Sequence, residues 1–423
     1  MVRPTNRPRR AALLWCGIAV INLVLACLVA LRPEQLDDLD TVRVWLHYWL
    51  DSGLNPYAHF GAALDYPPIA FLLLWPAALP SEATLAAWYL PTAILITTVA
   101  GWQMTGWIAE ATHVPLTRAE RIGLVALMLA GSGVRLSIWH GQTLALSLHF
   151  GVLAMRLAQR RRTWLAALLL ALCSFKPHIA LGFGLGLFLT GHAGVVLLAV
   201  AMVMSLSLLF AASIGHSLLA LFGEYAANLI TLYGGVDRVR GLLSIRHVLD
   251  DAIGVYPVST AIYLALAVGS LAWIVWLART RVSTPVSQTL TTIAAILWSV
   301  VFLPHQRYNV ILAAPALWLM MWPESGIIPN RRWRIGLVAA YVTFGLLDVP
   351  LILRELSFRF ASLSALWGPA YALGPLRVFA LFTLVLATLA RQPRTAQVPV
   401  TDTEALRAGR LLADPISGVA LAV

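Results

Sequence analysis

Lysine is almost missing from this chain. Of its 30 basic residues 29 are arginine, and the single lysine is Lys176. Cysteine is scarce as well. Cys16, Cys27 and Cys173 all lie inside apolar runs, which argues against a disulfide framework or a zinc spacing and leaves them as packing residues. Charge of either sign is thin: 12% of residues are Asp, Glu, Lys or Arg, where a soluble domain carries about 25%. The net charge of +11 raises the question of a nucleic-acid partner. The arginines answer it in the negative, because they gather at the ends of apolar runs, where they orient helices in a bilayer.

Hydrophobic sequence is what the chain has in abundance, at 60% of residues and a mean hydropathy of +0.79. The runs are long and do not alternate, so they predict an all-α polytopic membrane protein rather than a barrel. Residues 1–10, with four arginines, read as a cytoplasmic N-terminus. The run from Ala11 to Leu31 is too long for a signal-peptide core and reads as a retained first helix. Further spans are expected near 84–109, 122–138, 142–157, 163–175, 178–190, 193–214, 258–278, 286–303, 308–322, 335–353 and 375–390, about twelve transmembrane helices in all within an integral membrane domain over 11–390. Residues 391–423 read as a cytoplasmic tail. Ile69–Leu79 is too short to cross a core of about 30 Å at about 1.5 Å per residue, so it is expected to be re-entrant or interfacial.

With the arginine clusters inside, a first loop (32–67) and a large loop (216–257) face out. The first carries six acids, Glu34, Asp37, Asp38, Asp40, Asp51 and Asp65, against two arginines. Within it Trp45, Leu46, Trp49 and Leu50 recur at helical spacing, which predicts an amphipathic helix lying in the interface. Gly53 and Pro56 end that helix, and Tyr66-Pro67-Pro68 gives an extended entry to the short apolar stretch. Taken singly, these features have plain readings: solvated acids, ordinary turns, and a lysine that snorkels to the headgroups. Taken together, the acids, Gln142, Lys176, His178, His305, Arg307 and the arginines of 216–257 share one membrane face. Carboxylates beside cations at a bilayer surface suit a reaction in which a base removes a proton and a phosphate departs.

The order of these motifs resembles glycosyltransferase family 87. Asp38-Leu39 with Val42, Gly53, Pro56-Tyr57, Tyr66-Pro67-Pro68, Pro76 to Pro80, Gly141-Gln142, Arg160–Arg162 and Lys176-Pro177 follow the family's pattern over about residues 11–190. The later half matches more loosely, through the long outer loop and the stretch from Leu303 to Pro315. Two positions depart from the pattern: Thr143 follows Gln142 where Asn is frequent, and Tyr308-Asn309 stands where an acidic or aromatic pair is frequent.

The resemblance implies a GT-C-type fold with interfacial helices on its first outer loop. It implies an inverting transfer of a sugar from a polyprenyl-phosphate donor to a lipid or glycan acceptor of the cell envelope, on the extracytoplasmic face of the plasma membrane. Mannose is the first expectation for the sugar and arabinofuranose the second. By the same resemblance a first-loop acid is the base, with Asp38 first and Asp40 and Asp37 behind it. Lys176, Arg246 and Arg307 are the candidates for the donor phosphate, and Tyr66, Gln142, His178 and His305 for the substrate. Trp45, Trp49, Trp75 and Trp139 are candidates to stack on the sugar or line a lipid groove. No cofactor and no metal is expected to be required, and no nucleic acid is expected as a partner. A secondary transporter or lipid flippase is the competing class, since about twelve spans and intramembrane charge suit it too.

Overall fold

Every backbone polar group in a bilayer must be satisfied within the protein, and uninterrupted apolar runs do this as helices. A computed structural model describes residues 7–30, 36–234 except 114, 243–281 except 255, 284–321, four single positions from 330 to 336, and 364–392. Their regular structure is helical, with no strand among the described residues. The helices are α1 (Arg7–Ala30), α2 (Asp37–Ser52), α3 (Pro56–Phe60), α4 (Pro68–Leu74), α5 (Glu82–Thr112), α6 (Arg118–Leu129), α7 (Ser132–Trp139), α8 (Leu144–Gln159) and α9 (Thr163–Cys173). They continue with α10 (Pro177–Leu189), α11 (Ala193–Ser213), α12 (Leu218–Gly234), α13 (Ile245–Ile253), α14 (Tyr256–Arg281), α15 (Pro285–Phe302), α16 (Ala314–Met321) and α17 (Ser364–Ala390).

The chain is a polytopic membrane protein. Five of the described helices are long and apolar enough to cross a membrane, and seven if each of two bent pairs counts as one span. Of five shorter apolar helices, Ala12–Leu28, Leu144–Gln159, Thr163–Cys173 and Pro177–Leu189 stand at expected spans, whereas Leu218–Tyr233 falls in the segment read as an outer loop. The expected span at 335–353 and the tail at 391–423 lie outside the described residues, except for Gly336, Arg391 and Gln392. The short apolar stretch after Pro67 is one of the bent pairs: Pro56–Ala63 and Pro68–Ala78 meet at 101°.

Two devices fix the helices that carry the site. The first is a glycine face on α10. A Cβ at Gly182 would lie 2.7 Å from Ser299 Oγ, and one at Gly186 would lie 2.8 Å from Thr292 Cγ2 and 3.1 Å from its Cα. This small-xxx-small spacing lets α10 and α15 approach backbone to backbone. The second sits at the break between α6 and α7, which are bent by 54°. Asn22 of α1 is buried there, and its Nδ2 donates to Leu129 O at 2.8 Å and Gly131 O at 3.3 Å. Arg135 Nη1 donates back to Asn22 Oδ1 at 3.0 Å. The freed carbonyls of a broken helix are thereby paired within the protein.

Helix α2 is amphipathic as its pattern predicts, but its apolar stripe is largely covered by protein. Trp45 meets Tyr66 edge-on at 5.8 Å, and Trp49 meets Phe71 at 6.0 Å and Phe210 at 5.2 Å. Leu50, at 45% exposed, is the member of the set that faces outward. The segment read as a large outer loop, 216–257, contains α12, α13 and the start of α14.

Candidate functional site

The site is built where α2 begins. The residue before α2, Leu36, has no capping side chain and sits at φ 66, a left-handed conformation that costs a non-glycine residue energy. Backbone carbonyls pair the amides there: Leu36 N donates to Trp139 O and Asp38 N to His140 O, both at 3.1 Å. That pairing needs Gly141. Its φ is +69, and a Cβ there would lie 2.6 Å from Leu39 Cβ and 3.2 Å from Leu39 N. The Gly-Gln motif therefore has a physical reason in its first residue: only glycine lets the turn after α7 lie against the acid-bearing end of α2. Three acids in the first turn of α2, Asp37, Asp38 and Asp40, also sit at the helix end where negative charge is favoured.

The second residue of the motif holds the lone lysine. Lys176 precedes α10 and is 7% exposed. Its ammonium donates to Gln142 Oε1 at 2.7 Å and lies 4.5 Å from the centre of the Tyr66 ring. Tyr66 OH and Thr143 Oγ1 are hydrogen-bonded at 3.2 Å. Burial works against the ammonium, but Tyr66, Asp65 and Asp38 outweigh it and hold its pKa above the ordinary lysine value. The lysine does not snorkel; it is enclosed and charged.

The three first-turn acids differ in their surroundings. Asp38 is pushed up to about 6, first by burial and then by Asp37 and Asp65, with Lys176 and His140 acting against the rise. Asp37 is hydrogen-bonded to His140 Nδ1 at 3.0 Å, which lowers the carboxyl and raises the imidazole. Asp40 is raised by burial and by the Glu82 charge, with Arg43 opposing.

Of the other sequence candidates, His178 and His305 come together behind Lys176. Their rings meet edge to face at 4.4 Å, and Asn309 Nδ2 lies 3.4 Å from His178 Nε2. His305 is fully buried, and burial followed by the Lys176 charge pushes it down to about 3, so it is a neutral imidazole. Its carbonyl accepts from Leu243 N at 2.7 Å, which ties the segment leading into α13 to the site. Arg307 is near enough for its charge to oppose protonation of His140. Arg246 is paired within its own segment: it bonds Tyr256 OH, and its Nε lies 3.8 Å from Asp250 Oδ2, one helical turn on.

Asp65 was counted among the loop acids but not among the site residues, and the structure brings it in. Its charge acts on both Lys176 and Asp38, and Tyr233 OH donates to its Oδ2 at 3.2 Å. Its place immediately before Tyr66 was the available signal. Among the described residues, no three His, Cys, Asp or Glu side chains are grouped to hold a metal ion.

An apolar cavity of about 210 Å³ has Gln142 and Thr143 among the polar side chains of its mostly apolar wall. Leu39, Leu74, Leu85, Trp88, Tyr89 and Ile96 line it, and Trp88 at its side is 70% exposed. The tryptophans named from the sequence are elsewhere; Trp45 lines a separate, smaller cleft with Tyr66 and Phe71. The arrangement offers a carboxylate of raised pKa and an enclosed ammonium, the latter bonded to Gln142, which also lines the apolar cavity. The glycosyltransferase family 87 model matches residues 64–304, more than half of the chain. Comparison with curated proteins and with solved structures gives no match.

Proposed function

This chain belongs to glycosyltransferase family 87, and from that premise we propose that it moves a sugar from a polyprenyl-phosphate donor to a lipid or glycan acceptor. It is a membrane glycosyltransferase; the donor, the sugar, the GT-C fold and the outer-face location are our reading. The observation that carries the reading is Lys176. An enclosed ammonium, positioned by Gln142 and the Tyr66 ring, lies within reach of the Asp38 charge, and Gln142 also lines an apolar cavity. A lipid phosphate has the two parts that such a place takes, an anion and a hydrocarbon chain.

In this mechanism the lipid chain lies along Leu85, Trp88 and Ile96, and the phosphate meets Lys176. Asp38 takes the proton from the acceptor hydroxyl as its oxygen attacks the anomeric carbon. The bond from that carbon to the phosphate oxygen breaks on the opposite face, so the configuration inverts. Negative charge grows on the leaving phosphate, and a preplaced cation in a partly dry site is worth several kcal/mol there. Arg307 is the second cation of the site, and Asp37 with His140 holds the first turn of α2, which bears Asp38. Tyr66, His178 and His305 shape the substrate's surroundings. We assign Arg246 a structural part, given its pairing with Asp250 and Tyr256. Mannose is the first sugar to try and arabinofuranose the second.

The test is direct. Purified protein incubated with polyprenyl-phosphate mannose and a lipid acceptor should release polyprenyl phosphate. Release from no polyprenyl-phosphate sugar, with lipid moved between leaflets instead, would replace this reading with the flippase class.

A further inference from the structure

We propose that Asp65 is the residue that selects the sugar, by accepting hydrogen bonds from the hydroxyls of the transferred ring. The inference rests on the transferase reading and goes beyond it by naming the specificity-determining group.

Three tyrosines fix the Asp65-Tyr66 pair. Tyr57 OH donates to Tyr66 O at 2.6 Å, Tyr225 OH donates to Asp65 O at 3.3 Å, and Tyr233 OH donates to Asp65 Oδ2 at 3.2 Å. Asn228 Nδ2 in turn donates to Tyr57 O at 3.3 Å, so α12 holds both ends of the clamp. A turn fixed this firmly at both its backbone and its side chain does more than enter a helix. It holds one carboxylate in place next to the ring that supports Lys176.

An ionised carboxylate has about four acceptor positions and no donor. Among the described residues Asp65 is met by the Tyr233 hydroxyl and forms no ion pair within 4.0 Å. Its open acceptor positions call for a ligand that brings O–H donors and no negative charge. That excludes the phosphate, which Lys176 takes, and fits the sugar attached to it. The phosphate leaves from one side of the anomeric carbon, and the ring hydroxyls lie beyond it. Lys176 and Asp65 thus divide the donor between them, the cation at the phosphate and the anion at the ring.

The rival role is that of a counter-ion that merely keeps Lys176 charged. The two roles differ in one measurable respect. A site built to hydrogen-bond a hydroxyl rejects the analogue that lacks it, whereas a counter-ion affects all donors alike. Wild type, Asp65→Asn and Asp65→Glu are therefore assayed with polyprenyl-phosphate mannose and with its monodeoxy analogues, each lacking one ring hydroxyl. In the wild type at least one analogue should lower kcat/KM by about 10- to 100-fold, the range of a charge-assisted hydrogen bond. In Asp65→Asn the full sugar should fall and the same analogue should lie within about threefold of it.

Asp65→Glu keeps the charge beside Lys176 but moves the oxygens by one methylene, so it too should lose the discrimination. It carries the test if the amide variant does not fold. Undiminished discrimination in either variant, or a uniform loss on every donor, would overturn the inference while leaving the transferase standing. A wild type inactive on every polyprenyl-phosphate sugar would instead bring down both.

Discussion

At the scale of single residues, the state of Asp38 makes the sharpest predictions. Its pKa is pushed up to about 6, chiefly by burial. As a base it must be ionised, so transfer should decline as pH falls through about 6 and by about tenfold per unit below that. A pH profile of kcat/KM that is flat from pH 5 to 7 would remove Asp38 from the role. Asp38→Asn cannot take the proton and should cost roughly 10²–10⁴ in rate. The same change should help the fold. A carboxyl raised in the folded state contributes stability that is full below its unfolded pKa and lost as pH rises through the folded one. The amide never ionises, so Asp38→Asn should melt higher than the wild type at pH 7 and alike near pH 3.5. Lys176→Ala should lower transfer strongly, with Lys176→Arg retaining part. Near-wild-type rates in both would show that the ammonium meets no phosphate.

Helices and their joints bear a different kind of prediction. Gly182 and Gly186 set the spacing of α10 and α15, and those helices lead directly to Lys176 at one start and His305 at one end. Leucine at Gly186 would drive its side chain into the Thr292 backbone, so Gly186→Leu should abolish transfer by separating the two helices. Full activity in that variant would mean the close approach is dispensable. Asn22→Leu leaves the carbonyls of Leu129 and Gly131 without their donor, and each unpaired buried group costs about 1–3 kcal/mol. A melting temperature in detergent well below wild type is expected, with chemistry at Asp38 intact in the protein that remains folded.

These joints also show what the sequence could and could not reveal. Lys176, Asp38 and Gln142 stood out in the sequence by type and order, whereas Arg246 was read for the donor phosphate and its Nε lies 3.8 Å from Asp250 Oδ2. Asn22 gave no signal, since a single amide in an apolar helix announces no partner 107 residues away. Asp65 was hidden for another reason: six acids share one loop, and which of them turns inward depends on tyrosines of α12 that no local pattern connects to it.

For the whole molecule, the arrangement of charge predicts a direction across the membrane. Ser52 at the end of α2 and Arg161 after α8 are both exposed. Cysteines placed there should react with an impermeant maleimide differently: Ser52→Cys in intact cells, Arg161→Cys only after permeabilisation, in a background without Cys16 and Cys27. Protection of Ser52→Cys in intact cells would reverse the orientation and the outer-face chemistry with it. One further consequence concerns reagents rather than substrates. Within these 423 residues one side chain alone carries a primary amine, and that amine is enclosed and kept protonated. An amine-acylating probe should therefore leave Lys176 unmodified in the folded protein. An adduct on Lys176 should appear only as the fold opens, so the mass of the peptide that bears it would follow the unfolding of this site molecule by molecule.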